Sequence, residues 1–122
     1  MAKILIVDDS ESQRTQLRSD LEKGQHSVIE AGNGHEGLDQ LSKNPDVSAI
    51  ICDVNMPGMD GLTMCLKIKQ MNSFPNLPIF MLTSEATAEI KKTAKENGVR
   101  AWITKPYVAE KLLGALDKVL KK

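Results

Sequence analysis

The sequence predicts an α/β domain in which a parallel five-stranded sheet lies between two layers of helices. Short apolar runs of strand length alternate with amphipathic segments of helix length, and this alternation occurs five times along the chain. Such alternation is typical of parallel sheets whose strands are joined by right-handed helical crossovers. The length of 122 residues suits one domain with one core.

Five apolar runs are predicted to be strands because they are short and lie between polar or turn-forming residues. The first run is apolar at every position, as strands covered on both faces are. The second run is a weaker strand candidate, and the third run ends abruptly on an aspartate. The predicted strands cover residues 4–7, 28–29, 49–53, 79–83 and 101–104.

Capping residues and apolar spacing predict the five helices. Ser10 followed by Gln13 is a capping box, in which Gln13 reaches back to the cap, and it opens a helix that ends near Gly24. Asn33 caps a second helix, which ends before Pro45. The others are predicted over residues 62–71, residues 87–97, and the apolar positions of residues 112–120.

The overall charge and hydropathy exclude several classes of protein. Lysine and arginine number 16, as do aspartate and glutamate, so the net charge is zero with neutral histidines. A nucleic-acid-binding surface would show an excess of basic residues. No apolar run approaches the roughly 20 residues of a membrane span, and the N-terminus does not resemble a secretory signal. We therefore expect neither nucleic-acid binding nor membrane insertion.

The cysteines and histidines carry no metal-binding or disulfide signal. Cys52 and Cys65 lie in an apolar strand and on an apolar helix face, so we expect buried, reduced thiols and a cytoplasmic location. His26 and His35 have no ligand spacing to another histidine or cysteine. Both are expected to be solvated.

Polar side chains with complementary chemistry follow four of the five predicted strands. The carboxyl ends of parallel strands meet at one edge of a sheet, where ligand sites of such folds lie. We therefore expect three carboxylates, a few hydroxyls and one ammonium group to converge there. These residues are Asp8, Asp9, Asp53, Thr83, Ser84, Thr104 and Lys105.

This convergence favours a metal and phosphoryl site over unrelated turn residues. Two carboxylates ~4 Å apart at an effective dielectric of ~20 repel by about 4 kcal/mol, so either some are protonated or a cation lies among them. Oxygen ligands suit Mg²⁺, with Mn²⁺ as a substitute. One aspartate can then attack phosphorus, while Thr83 and Lys105 neutralise phosphoryl oxygens. Taken singly, Asp8 or Asp9 would be a helix cap, and Thr83 or Lys105 a turn or surface residue.

Four motifs carry a resemblance to a known family. They are VDDS at residues 7–10, DVNMPGMDGL at residues 53–62, LTSEA at residues 82–86, and the Lys105-Pro106 pair. With these motifs the sequence resembles, over essentially the whole chain, the receiver domains of bacterial two-component response regulators. The resemblance implies a flavodoxin-like (βα)5 three-layer sandwich with strand order 2-1-3-4-5.

The resemblance also implies a role for each matching residue. Asp53 would accept the phosphoryl group. Asp9 would bind Mg²⁺ directly, Asp8 would be a second acidic ligand acting through water, and Asn55 would offer its backbone carbonyl.

On the phosphoryl side of the site, Thr83 would bind the group through its hydroxyl and Lys105 would pair with it. The Lys105-Pro106 bond is expected to be cis. Asn55 and Glu85 occupy the two positions that tune attack by water in this family. Their combination resembles that of the stand-alone chemotaxis regulators, which implies a short-lived phosphoryl group.

Trp102 departs from the family pattern. Its position usually holds a tyrosine or phenylalanine that turns inward when Thr83 is drawn to the phosphoryl group. Tryptophan is larger and carries an N–H that needs a partner when buried, so it either moves less freely or stays outside as an interface anchor. A half-buried surface residue without an output role is the simpler alternative. The resemblance implies a partner face of helix four, strand five and helix five that includes Ala86, Ile90, Lys91, Ala94, Trp102, Tyr107 and Lys111.

The implied function is a phosphorylation-dependent switch, expected to be a monomer without an output domain. A histidine kinase would donate to Asp53, the domain would catalyse this transfer and its own dephosphorylation, and output would be contact with another protein. The resemblance favours a flagellar motor switch protein as the target, and a phosphatase as a further partner stays open.

Three alternative functions compete with this one. A relay intermediate would pass its phosphoryl group to a histidine phosphotransfer protein and would benefit from a longer-lived phosphate. An aspartyl-phosphate hydrolase needs a general acid two residues after the nucleophile, where this chain has Asn55. A flavodoxin would need a phosphate loop after strand one, where Asp8 and Asp9 would repel the flavin phosphate.

Overall fold

The computed structural model describes residues 2–84 and 87–120 of the chain. Strands and helices alternate as predicted. The strands are β1 Lys3–Val7, β2 Ser27–Ala31, β3 Ala49–Cys52, β4 Ile79–Thr83 and β5 Ala101–Thr104. The helices are α1 Glu11–Lys23, α2 Gly34–Lys43, α3 Gly61–Met71, α4 Ala88–Glu96 and α5 Ala109–Leu120.

The sheet is parallel throughout, with strand order β2-β1-β3-β4-β5. This confirms the flavodoxin-like α/β fold. Ile4 pairs with Val28 on one side and Ala49 on the other, so β1 lies between β2 and β3. The chain reverses its direction of winding after β2, and the carboxyl ends of β1 and β3 become neighbours. Ligand sites of doubly wound sheets lie at such a reversal.

Each face of the sheet is covered by its own apolar cluster. One cluster joins the sheet to α1 and α5, and its members include Leu17, Leu21 and Leu112. The other joins the opposite face to α2, α3 and α4, and it includes Leu41 and Met64. The central strands are buried on both sides, which explains the unbroken apolar runs in their sequences. Among the helices within residues 2–84 and 87–120, none has the length and hydropathy of a membrane span.

Helix starts follow the predicted caps, with one informative exception. Ser10 caps α1 by accepting from the backbone N–H of Gln13, and Asn33 caps α2 by accepting from that of Glu36. The return bond expected from the Gln13 side chain is not formed. Instead the Ser10 N–H donates to Asp8 Oδ1 at 2.9 Å, so the first turn of α1 supports a carboxylate of the predicted site.

Both cysteines are buried, as predicted, and both are free thiols. Their Sγ atoms lie 4.0 Å apart, and Cys52 Sγ also contacts Met81 Sδ at 3.7 Å. Hydrogen bonding with Cys65, together with burial, raises the pKa of the Cys52 thiol. Little of this thiol is therefore ionised, and it behaves as a small apolar core residue.

The prediction that His26 is solvated is wrong, while His35 is exposed as expected. His26 follows α1, and its backbone N–H is held by Leu21 O at 3.1 Å. This turn places the ring in the interior, where 8% of the residue is exposed and Nδ1 has no partner within the described part of the chain. Burial lowers the pKa of His26, and the carboxylate of Asp117 opposes the shift.

This burial makes a testable prediction about stability and pH. His26 is neutral in the fold, whereas an unfolded histidine titrates near 6.5. The free energy of unfolding should therefore fall as the pH drops below about 6.5 towards the lower folded pKa. Carboxyl groups whose pKa is lowered, such as those of Glu30 and Asp46, act below about 4.5, outside this window.

Chemical denaturation between pH 7.5 and 5 measures this dependence. His26→Gln should flatten it, and His35→Gln is the matched control at an exposed site. An unchanged slope in His26→Gln would mean that another group causes the loss of stability.

Candidate functional site

Three side chains of the site leave the sheet just beyond the last residue of a strand. Asp8 N donates to Ala31 O and Asp53 N donates to Val7 O, both at 3.1 Å. Lys105 N likewise donates to the Thr83 carbonyl at 2.9 Å. Each residue therefore continues the hydrogen-bonding ladder of the sheet by one step. The sheet itself fixes where these three side chains begin.

A lysine bridges two of the carboxylates. Lys105 Nζ lies 2.9 Å from Asp8 Oδ2 and 2.9 Å from Asp53 Oδ2. The other oxygen of each carboxylate accepts a backbone N–H: Asp8 Oδ1 from Ser10, and Asp53 Oδ1 from Asn55 at 3.3 Å. The three side chains are only 15%, 7% and 13% exposed for Lys105, Asp8 and Asp53. Both carboxylates are thus held in place and largely screened from water.

The ammonium group of Lys105 stays charged in this setting. Burial acts to lower the pKa of Lys105, but hydrogen bonds to Asp53 and Asp8 outweigh it, and the pKa is raised. The sequence placed Lys105 beside the phosphoacceptor candidate. It did not indicate that the same lysine would also neutralise Asp8.

A third carboxylate completes an acidic cluster. Oxygens of Asp8, Asp9 and Asp53 all lie within 4.8 Å of one another, with Asp8 buried and Asp9 exposed. Counting Lys105, the group keeps a formal charge of −2, so it repels itself and attracts cations. All donors are oxygens, and one side is open to solvent. This donor set fits a hard divalent cation such as Mg²⁺ that retains some of its waters.

The loop after β3 is anchored by buried side chains and by a close contact with the start of α3. Val54, Met56 and Met59 are buried, and Gly58 has a φ of +80°, which favours glycine. Gly61 N donates to Val54 O at 2.9 Å, and a Cβ at Gly61 would lie 2.0 Å from the Asp53 carbonyl oxygen. Only glycine allows α3 to start this close to Asp53. The loop therefore holds the Asp53 backbone from its C-terminal side.

The remaining residues predicted for the phosphoryl group are placed as follows. Thr83 is 1% exposed at the end of β4, opposite Thr104 in the register of the sheet. Asn55 is exposed at the mouth of the site. The Lys105-Pro106 peptide is cis, as expected. Glu85 lies outside the described residues.

The side chain of Trp102 is neither fully inside the fold nor fully outside it, the two positions that the sequence left open. It is half-buried and packs against the cluster on the α4 side of the sheet. Its indole Nε1 is buried with no hydrogen-bond partner among the residues described. Lys91 Nζ lies 6.0 Å from the centre of its ring, within range of a cation–π contact. Buried polar groups in proteins usually have a hydrogen-bond partner, so the indole N–H of Trp102 has the capacity to donate one further hydrogen bond.

The partner face expected from the resemblance needs one correction. Ala94 is 1% exposed and belongs to the core, because it lies on the side of α4 that faces the sheet. Tyr107 is partly exposed; it packs against the opposite cluster, and its hydroxyl donates to Asp20 of α1 at 2.5 Å. Ile90 is partly buried, and Lys91 is exposed. Lys111 is exposed on α5, and Ala86 lies outside the described residues.

A groove beside Asp53 was not anticipated from the sequence. It has a volume of about 630 Å³ and runs between α1 and the segment that follows β5. Its lining combines hydrogen-bonding and apolar side chains with both ends of the Asp53–Lys105 pair. The lining residues are Gln13, Gln16, Asp20, Asp53, Ser84, Lys105, Pro106 and Tyr107.

The sequence did not predict the contacts of Arg14 at this site either. Its Nη1 donates to the backbone carbonyl of Asp8 at 2.6 Å, and its Nε donates to Glu30 Oε1 at 3.1 Å. The available signal was Glu30 itself, a charged residue inside the apolar pattern of β2. A partly buried carboxylate favours a cationic partner, and α1 supplies one.

The fold and the site together define a class: a parallel α/β domain with an acid–lysine cluster at the carboxyl edge of its sheet. Comparison with known families agrees, since residues 4–117 match the response regulator receiver domain. The chain belongs to this family, whose members act in two-component signalling. Receiver domains generally bind Mg²⁺ at an acidic pocket, and this chain has a cluster of acidic residues made of Asp8, Asp9 and Asp53.

Individual relatives cover nearly the whole chain. The chemotaxis protein CheY homolog of Campylobacter jejuni is 38% identical over 119 residues, which is 97% of this chain and 92% of that protein. The solved structure of Vibrio cholerae chemotaxis protein CheY4 has a TM-score of 0.92 at 38% identity, covering 98% of this chain and 99% of that one. Part of the sensor histidine kinase CheAY of Helicobacter pylori is 35% identical over 97% of this chain, which is 15% of that protein.

The repulsion within the acidic cluster generates a prediction. Asp9→Asn removes one of three like charges, so the variant should be more stable than wild type in a metal chelator. With millimolar Mg²⁺ the gain should shrink or reverse, because the wild type regains stability by binding the cation. Thermal unfolding midpoints measured in both conditions test this.

Asp39→Asn, an exposed acid on α2, is the control and should respond equally in chelator and in Mg²⁺. A destabilised Asp9→Asn variant in chelator would contradict the repulsion argument.

Proposed function

We propose that this protein is a phosphorylation-dependent signalling switch, which takes a phosphoryl group from the phosphohistidine of a histidine kinase onto Asp53. The observation that carries the proposal is the bridge from Lys105 to Asp53 and Asp8 beside an exposed third acid. The arrangement presents a carboxylate nucleophile with a cation on one side and an acidic cation-binding pocket on the other.

The proposed transfer uses groups that are already in place. One carboxylate oxygen of Asp53 attacks phosphorus, the P–N bond to the histidine breaks, and its electron pair leaves with the imidazole. The Asn55 N–H holds one carboxylate oxygen, which limits rotation of the nucleophile. Lys105 transfers its hydrogen bond from Asp53 to a phosphoryl oxygen, and Thr83 contributes a hydroxyl.

The cation site serves the same step. Asp8, Asp9, Asp53 and the Asn55 carbonyl are the residues that would hold Mg²⁺, with Mn²⁺ as a substitute. When bound, the ion offsets the carboxylates and withdraws charge from the phosphoryl oxygens. Asp8 and Asp53 are held by backbone donors before any cation arrives, so little reorganisation accompanies binding.

Loss of the phosphoryl group by attack of water would reset the switch. Asn55 is exposed at the mouth of the site, where a water approaching phosphorus would pass. We propose that Asn55 and Glu85 set the rate of this step, which would make the phosphoryl group short-lived. A hydrolase function is less well supported, since Asn55 cannot act as the general acid of such enzymes.

Chemotaxis is the pathway that the relatives favour. The Campylobacter and Vibrio proteins carry chemotaxis names, and a histidine kinase from Helicobacter contains a similar region. We propose a chemotaxis histidine kinase as donor and a flagellar motor switch protein as target. The groove between α1 and Tyr107 leads to Asp53 and has room for a donor side chain. The proposal includes a monomer in the cytoplasm, where buried thiols stay reduced.

We propose that output uses the surface of α4 and β5 around Trp102. The exposed Lys91 lies over the indole ring, and Lys95 and Arg100 line the adjoining cavity of about 270 Å³. A basic rim around a half-buried aromatic suits an acidic partner segment with an apolar anchor. Phosphorylation would shift this surface between two populations of different affinity.

The site chemistry is tested by the mass of the intact protein. With acetyl phosphate and Mg²⁺, the wild type should gain one phosphoryl group, and the adduct should decay after the donor is removed. Asp53→Asn should show no adduct, because an amide is not a nucleophile towards phosphorus. An equal adduct on Asp53→Asn, or none on the wild type, would refute the proposal.

The output surface is tested separately. Lys91→Glu should weaken binding of the phosphorylated protein to the motor switch protein by on the order of tenfold, because it reverses a charge beside Trp102. Formation of the phosphoryl adduct should be unchanged. Calorimetric titration measures the affinity.

Lys43→Glu, on a helix that packs against β1 and β2, is the control and should bind like wild type. Equal affinity for Lys91→Glu and wild type would remove α4 from the output surface.

A further inference from the structure

Arg14 links the acidic pocket to the edge of the sheet. It lies in the second turn of α1, and its side chain is 16% exposed. Nη1 donates to the Asp8 carbonyl at 2.6 Å, while Nε donates to Glu30 of β2 at 3.1 Å. One planar guanidinium group therefore holds two partners at once, which a lysine could not do with the same geometry.

The carbonyl that Arg14 holds belongs to the peptide unit that joins Asp8 to Asp9. The orientation of this peptide unit sets the directions in which both side chains leave the backbone. Asp8 has other anchors, since its carboxylate is held by Ser10 N and Lys105. Asp9 is exposed, so the geometry of its backbone is what brings its carboxylate towards the other two.

Glu30 fixes Arg14 in turn. Arg18 also binds Glu30, through Nη1 at 2.6 Å, so one carboxylate ties together two arginines of α1. The hydrogen bond from Arg18, followed by that from Arg14, outweighs burial and lowers the pKa of Glu30. Glu30 therefore stays ionised at neutral pH and balances the charge of Arg14. This balance reduces the repulsion that an unpaired guanidinium would exert on an incoming cation.

We infer that Arg14 is a positioning residue for the cation pocket: it orients the Asp8–Asp9 peptide so that both carboxylates converge beside Asp53. This inference rests on the proposed binding of Mg²⁺. Groups that orient metal ligands without touching the metal commonly change metal affinity by about 10–100-fold when they are replaced. Arg14 has the position and the short contact for such a role.

The chain offers a matched control. Arg14 and Arg18 lie one helical turn apart, and both bind Glu30. Replacing either of them with glutamine removes one positive charge. Of the hydrogen bonds that these two arginines make to described residues, only one from Arg14 reaches Asp8. Arg18→Gln therefore reproduces the loss of an ion pair with Glu30 without releasing the peptide. Arg14→Lys keeps the charge and removes the two-partner geometry.

Calorimetric titration of the four proteins with Mg²⁺ at pH 7, well below their unfolding temperatures, tests the inference. Arg14→Gln should raise the dissociation constant about tenfold. Arg14→Lys should also weaken binding, whereas Arg18→Gln should stay within twofold of wild type. Thermal unfolding in chelator measures how far each variant is destabilised. If Arg14 had a purely structural role, replacing it would change the stability without changing the affinity for Mg²⁺.

Several outcomes would overturn the inference. Wild-type affinity in Arg14→Gln would show that the contact with Asp8 does not matter for the cation. Equal weakening in Arg18→Gln would assign the effect to α1 as a whole. Should Arg14→Gln fail to fold, Glu30→Gln releases the anchor of Arg14 and must weaken binding instead. If wild type itself binds no Mg²⁺, the proposed function fails along with the inference, whereas a binding wild type with unaffected variants refutes the inference alone.

Discussion

The contact of Lys105 with Asp8 and Asp53 is the interaction on which the site depends. Two carboxylates at the ends of adjacent strands repel each other, and a partly buried ammonium group 2.9 Å from each compensates that repulsion. The lysine lies 97 residues from one partner and 52 from the other along the chain. Only a sheet that brings β5 to the same edge as β1 and β3 can supply it.

The rest of the fold limits the freedom of these groups. Strands buried on both faces fix where each residue starts, and the ladder continues one step beyond the strands to include them. The loop after Asp53 is held by buried side chains and by the close start of α3 at Gly61. Arg14 and the first turn of α1 hold the Asp8–Asp9 segment. A site built this way has its charged groups oriented before a ligand arrives, which is what catalysis by electrostatic stabilisation requires.

Lys105 also lies between two side chains that reach opposite faces of the sheet. Trp102, three residues before it, packs on the α4 side, and Tyr107, two residues after it, contacts Asp20 of α1. Under the proposed function, a movement of Lys105 towards a phosphoryl group would affect side-chain packing on both faces of the sheet. The donor groove and the output surface would then be linked through one short segment of backbone.

The sequence by itself determined the strand and helix pattern and the acids at the strand ends. These features follow from local rules: apolar spacing, capping residues and the shared direction of parallel strands. The choice of Asp53 as candidate nucleophile came from the resemblance of its motif to receiver domains. The burial of His26, the turn of Tyr107 towards α1 and the burial of Ala94 could not be predicted, because each depends on how a helix, or the turn next to it, packs against the sheet. The contacts of Arg14 and the second role of Lys105 likewise join residues far apart in the sequence. Only the packed tertiary structure decides such distances, because no local pattern records them.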